Sequence, residues 1–155
     1  MKYIYDDGGR MAAGFIGRAG DCVVRSVAIA SGRPYHEVYA ALSAGCRDQR
    51  VTKSGRRKAS ARDGVMTNRK WFKDYMTGLG FGWTATMTVG SGCKVHLRDG
   101  ELPDGRLVAS VSKHYVAVID GVVHDTHDPT RNETRCVYGY WTLAQDTSSA
   151  AGDRQ

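Results

Sequence analysis

The stretch His114-Tyr115-Val116-Ala117-Val118-Ile119-Asp120-Gly121-Val122-Val123-His124-Asp125-Thr126-His127-Asp128-Pro129 decides how this chain folds. Val116, Val118 and Ile119 are β-branched, the residue type that suits a pleated, packed strand. Asp120-Gly121 is a strong signal for a two-residue hairpin turn, because both residues tolerate the positive φ angles such turns require. Val122 onward should therefore return antiparallel to His114–Ile119. With that turn His114 lies opposite His127, and Val116, Val123, Asp125 and His127 share its face. Asp125 is then the diagonal neighbour of His114. Asp128 would face it only across a three-residue turn.

Working outward from the hairpin, Arg106–Val111, Phe81–Met87 and the short Lys94–Leu97 also read as strands. Cys136–Leu143 is a last strand, with Tyr138, Tyr140 and Trp141 packing. Upstream of Phe81 the apolar period becomes helical. Cys22–Ser31 carries Val23, Val24, Val27 and Ala28 on one stripe, with Asp21 as N-cap and Gly32 as stop. A second helix begins near Pro34 and carries Tyr35, Val38, Tyr39 and Leu42. Thr67 is placed to cap a third, whose apolar side is Trp71, Phe72, Tyr75, Met76 and Leu79, ended by Gly80. Trp71, Trp83 and Trp141 all sit on periodic apolar faces and read as core. Residues 1–20 are Gly-rich and extended without clear periodicity, and residues 45–65 read as a long surface loop. Helices followed by a mostly antiparallel sheet make an α+β protein. Residues 1–144 form one expected domain, and 145–155 read as a disordered tail.

Of the 155 residues, 41% are apolar and 25% charged, a globular composition. No apolar run is long enough to span a bilayer, and Met1–Arg10 lacks the apolar core of a secretory signal. The four cysteines, Cys22, Cys46, Cys93 and Cys136, form no Cys-x-x-Cys pair and read as thiols in a reducing cytoplasm. The net charge of +6 is unevenly spread: Arg47–Lys73 holds ten Lys/Arg and two Asp/Glu. This segment can attract nucleic acid or an acidic partner. However, no aromatics interleave Arg47–Arg62 to stack on bases, and the ordinary reading of such a segment is a solvated loop.

Cys22 stands out among the cysteines. As the first residue of a helix its sulfur meets unpaired backbone N–H groups and the positive end of the helix dipole, which favour the thiolate. A nucleophilic thiol also needs a base and a group to orient that base. His114, at the rigid start of a valine-rich strand, is the best placed histidine, with Asp125 or Asp128 as its orienting carboxylate. His124-Asp125-Thr126-His127-Asp128 also offers metal-ligand types, but a regular strand sends His124, Thr126 and Asp128 one way and Asp125 and His127 the other. No metal or other cofactor is implied, and the zinc-deaminase and His-Glu-x-x-His patterns are absent.

A cysteine at a helix start, a histidine on a strand and an acidic residue on the next strand resemble the order found in papain-like cysteine peptidases. Gly20-Asp21-Cys22 is similar to the helix start of NlpC/P60 peptidases. Asp128-Pro129 resembles the end of the bacteriocin-processing peptidase motif, which would favour Asp128 as the orienting group. Most closely, Gly20-Asp21-Cys22-Val23-Val24-Arg25, Ser112-Lys113-His114 and Gly121-Val122-Val123-His124-Asp125-Thr126-His127-Asp128-Pro129 are similar to a group of bacterial and phage-borne proteins. The resemblance covers most of the chain. It implies a papain-like fold and a cysteine-dependent peptidase, amidase or acyl transferase acting on a peptide or protein. Cys22 would be the nucleophile, His114 the base, and Asp125 or Asp128 the third member. The alternative is a non-catalytic basic binding module. Papain-like peptidases place a Gln six residues before the Cys, where this chain has Ile16. NlpC/P60 peptidases use an upstream Tyr, for which Tyr3 and Tyr5 are the candidates, beside the Cys22 backbone N–H.

Overall fold

A computed structural model describes residues 1–51 and 60–145. The expected tail, apart from Gln145, and the stretch 52–59 of the basic segment lie outside the described residues. The elements in chain order are β1 (Lys2–Tyr5), α1 (Cys22–Ser31), α2 (Tyr35–Asp48), α3 (Lys70–Gly78), β2 (Phe81–Ala85), β3 (Arg106–Val111), β4 (His114–Ile119), β5 (Val122–Asp125) and β6 (Val137–Leu143). Six strands form one mixed sheet in the order β1-β5-β4-β3-β6-β2, and the fold is α+β. Every pairing is antiparallel except that of β1 with β5.

The hairpin forms as its sequence requires. Ile119 pairs with Val122, Val118 with Val123 and Ala117 with His124. Asp120 (φ 47°) and Gly121 (φ 77°) both take the left-handed region, as a tight type I′ connection demands. The central strands are covered on both faces. Tyr115 and Ala117 of β4 and Val108 of β3 meet Val24, Val27, Leu42, Phe72 and Met76 of the helices. On the other face Val116, Val118, Leu107, Ala109 and Val123 form a second core with Leu97 and Val137. Burial on both sides explains why these strands read as nearly unbroken apolar runs.

Helix α1 positions the site. Its ten residues span about 15 Å, and the six of β4 about 20 Å, so the two can lie side by side along nearly their full length. Arg106, at the start of β3 and paired with Ile119, donates from Nε to Ala30 O (2.6 Å) and from Nη2 to Ile29 O (2.8 Å). A cation thereby satisfies carbonyls at the negative end of α1 and ties that end to the far end of β4. Gly32, at φ 72°, closes the helix with its N–H bonded to Ala28 O.

Several expectations are corrected. Lys2–Tyr5 is a strand, held by parallel pairing to β5. The third helix starts at Lys70, and Thr67 is not its cap. Lys94–Leu97 makes one bridge, His96 to Cys136, rather than a strand. Residues 45–65 are not simply a surface loop: α2 runs to Asp48, Cys46 and Ala61 are fully buried, and the Ala61 N–H bonds to Ser43 Oγ (2.9 Å). Trp141 is core, but Trp83 is 46% exposed, because β2 is an edge strand with one face open. Cys93 and Cys136 are joined by a disulfide, so the four-thiol reading and the reducing compartment inferred from it lose their basis. The bridge at His96 brings these two cysteines to a Cα separation of 5.9 Å, which their spacing of 43 residues did not reveal. Cys22 and Cys46 are not disulfide-bonded. Among the described residues, no helix is long and apolar enough to cross a membrane.

Candidate active site

Asp21, the residue before α1, is 1% exposed, and its side chain makes no capping bond. The carboxylate is engaged by stronger partners. Arg25, one helical turn on, pairs with its Oδ1, the Tyr35 hydroxyl donates to Oδ2, and Arg10 Nε lies 3.2 Å from Oδ2. Two guanidinium groups and a phenol outcompete the helix amides for a buried charge, which is costly unless fully paired. Burial, followed by the hydrogen bond to Asp21, raises the Tyr35 hydroxyl well above the usual tyrosine range, so it remains a donor.

Arg25 also reaches the sheet: its Nη2 lies 3.5 Å from Asp125 Oδ1. One guanidinium thus spans the carboxylate that precedes α1 and the carboxylate that ends β5. Asp125 is 3% exposed. Its Oδ1 accepts the Thr126 N–H (2.7 Å), and its Oδ2 lies 2.6 Å from His114 Nε2. β5 is fixed on both sides, by β4 and by β1, and the Asp6 N–H bonds to Asp125 O (2.9 Å). The carboxylate is therefore held by its strand and by three donors.

With Nε2 committed to Asp125, Nδ1 is the ring nitrogen that His114 has left for the Cys22 thiol, the other group that acts on the ring. The electrostatics follow. Burial opposes a charge on the His114 ring, but the hydrogen bonds and negative charges of Asp125 and Cys22 outweigh it and raise the ring to about 9. Burial alone would push the Cys22 thiol up. The hydrogen bond and charge of His114, the Tyr115 backbone N–H and the charge of Arg25 bring it below the ordinary thiol value. Asp125 is likewise held below the usual carboxylate range: burial works against this, and His114, Thr126 and His127 overcome it. Each shift favours a thiolate beside an imidazolium, oriented by a carboxylate.

Cys22, His114, Tyr115, Arg25 and Lys113 line a cavity of about 620 Å³. An adjoining hollow of about 310 Å³ shares Thr67, Ser110 and Tyr115 with it and continues to Trp83, Trp141 and Lys73.

The structure thus brings Cys22, His114 and Asp125 together. Asp128 is not with them: it is exposed, and its Oδ1 accepts the Thr130 N–H (2.9 Å) in a local turn. This follows from the two-residue turn, which keeps Asp125 and not Asp128 in step with His114. His124 is drawn away to Asp6 (3.2 Å), whereas the exposed His127 has its ring 5.2 Å from that of His114. Of the candidate oxyanion donors, Ile16 is 83% exposed and Tyr5 lines a different hollow. Tyr3 packs beside the second core, and neither tyrosine lines the cavity at Cys22. The Cys22 backbone N–H, at the start of α1, is the donor the fold supplies. Sequence reasoning gave no role to Arg25, although its position four residues after Asp21 was a visible pairing signal. The chain matches no protein-family model, no curated protein and no solved structure.

Proposed function

We propose that this protein is a papain-like cysteine hydrolase or acyl transferase that acts on a peptide, amide or thioester bond. The observation that supports this reading is the shared imidazole. His114 Nε2 lies 2.6 Å from a buried carboxylate, while the ring and the free thiol of Cys22 act on one another electrostatically at the wall of one open cavity. Thiol, base and orienting group set together form the arrangement that nucleophilic catalysis requires.

In this scheme the Cys22 thiolate attacks the substrate carbonyl carbon, forming an S–C bond, and the carbonyl electron pair moves to oxygen. The Cys22 N–H and the positive end of α1 stabilise that oxyanion. As the tetrahedral intermediate collapses, the C–N or C–S bond breaks. The His114 imidazolium gives its Nδ1 proton to the leaving amine or thiol, leaving an acyl-Cys22 thioester. Water, or an acceptor amine, then attacks this thioester while His114 takes up the proton, and the S–C bond breaks to release the product and return the Cys22 thiolate. Asp125 holds the ring in one tautomer throughout and stabilises its charge.

The test is a panel of peptide amides, small amides and acyl thioesters, with product release measured for the wild type and for Cys22→Ala. The proposal expects turnover of at least one class and its loss in the variant. Turnover that survives in Cys22→Ala would overturn it.

A further inference from the structure

We propose that the same site binds a divalent transition metal, with zinc the best match, through His114, Asp125 and His127, and that the bound metal halts turnover. The inhibitory consequence rests on the thiol reading above; the binding itself does not. The ligand atoms of these three residues all lie within 4.8 Å of one another. Two imidazoles and a carboxylate form a donor set that suits zinc, which binds such groups at about 2.0–2.2 Å.

The three residues reach one point because the hairpin register keeps them on one face. The ligand types of residues 124–128 divide between two faces, and Asp125 and His127 fall on the side of His114. β5 ends at Asp125, and the His127 ring beyond it lies 5.2 Å from that of His114, at an interplanar angle of 45°. The group therefore spans β4, β5 and the segment after it. Asp125 is also supported as a ligand should be: the Thr126 N–H and Arg25 hold Oδ1, which leaves Oδ2 directed at the His114 ring. His127 is exposed, so its ring can rotate the short distance required without repacking the core.

Binding replaces one proton. The metal takes the position between His114 Nε2 and Asp125 Oδ2, and the proton held there leaves to solvent. A ring metallated at Nε2 keeps its remaining proton on Nδ1, beside the thiolate, and has no lone pair left for the proton of the water that attacks the acyl-Cys22 thioester. The base of that step is thereby removed without any contact between metal and sulfur.

The protein is titrated with Zn²⁺ against a chromophoric chelator, and turnover of an acyl thioester, with acylation of Cys22 read by mass spectrometry, is followed in parallel. The proposal expects one saturable site. His127→Ala should weaken it at least about 10-fold, since even outer partners of a metal ligand change affinity by that factor. His124→Ala, which removes the imidazole paired with Asp6, should leave the affinity unchanged. Zinc should halt turnover with acyl-Cys22 standing in the wild type and not in His127→Ala. No saturable binding, or equal binding by His127→Ala, overturns the metal site. Binding that depends on His127 but leaves turnover unchanged overturns the switch. A Cys22 that is never acylated even without metal would sink the thiol-enzyme reading, while the chelator titration would still decide the metal site.

Discussion

Asp125→Asn removes one negative charge from a buried site and keeps the volume of the side chain. The amide oxygen can still accept the Thr126 N–H, but His114 and Arg25 lose their anion. The rise of the His114 ring from 6.5 to about 9 corresponds to roughly 3 kcal/mol of preference for its charged form, at about 1.36 kcal/mol per pH unit. The ring is 11% exposed, so solvent screening discounts this figure little. Asp125 and Cys22 share the contribution; assigning half to Asp125 gives about 1.5 kcal/mol, or on the order of 10-fold in the population of the ion pair. The assay is iodoacetamide alkylation of Cys22 as a function of pH. In the wild type the thiolate should persist below the ordinary thiol range, so labelling should stay fast at pH 6.5. In Asp125→Asn the inflection should move up by about one pH unit, and the rate at pH 6.5 should fall about 10-fold. Above pH 10 the variant should equal or slightly exceed the wild type, because a more basic thiolate is a better nucleophile. Asp128→Asn should follow the wild-type profile. Superimposable profiles for wild type and Asp125→Asn, or an equal displacement for Asp128→Asn, would refute the reasoning. A stability effect has a defined sign. The raised His114 ring contributes stability that is fully present below pH 6.5 and lost as pH rises through about 9, and Asp125→Asn should flatten that dependence.

Arg106→Ala removes two charge-assisted bonds from the C-terminal carbonyls of α1, so it should cost about 1–3 kcal/mol in urea unfolding; an unchanged midpoint would contradict the tie between α1 and β3. Reduction, or Cys136→Ser, opens a loop of 43 residues, and chain entropy sets the loss at up to about 4 kcal/mol. An unfolding midpoint that is insensitive to reductant would show that the Cys93–Cys136 bond contributes nothing to stability.

What could be read in the sequence was mostly local. The α1 stripe ends at its glycine, and Asp120-Gly121 sets a hairpin register in which Asp125, not Asp128, keeps step with His114. The two-residue turn is therefore what placed the third member of the site. What escaped was set by partners distant in the chain. β1 is four residues long and is a strand because β5 offers it a parallel edge, for which Lys2–Tyr5 carries no period of its own. Asp21 looked like a cap because only its neighbours in sequence were visible. Two of its three partners, Arg10 and Tyr35, lie 11 residues before and 14 after it. His127 lies beside His114, where the hairpin register puts it, although β5 itself ends at Asp125.

The most direct measurement is intact-protein mass spectrometry during reaction with an acyl thioester, with rapid quenching and peptide mapping. The account predicts an acyl adduct on Cys22 that forms and decays during turnover. In His114→Ala its formation should slow by about 10²–10⁴, the usual loss when a positioned base is removed. An adduct on another residue, or His114→Ala acylating Cys22 at the wild-type rate, would contradict it.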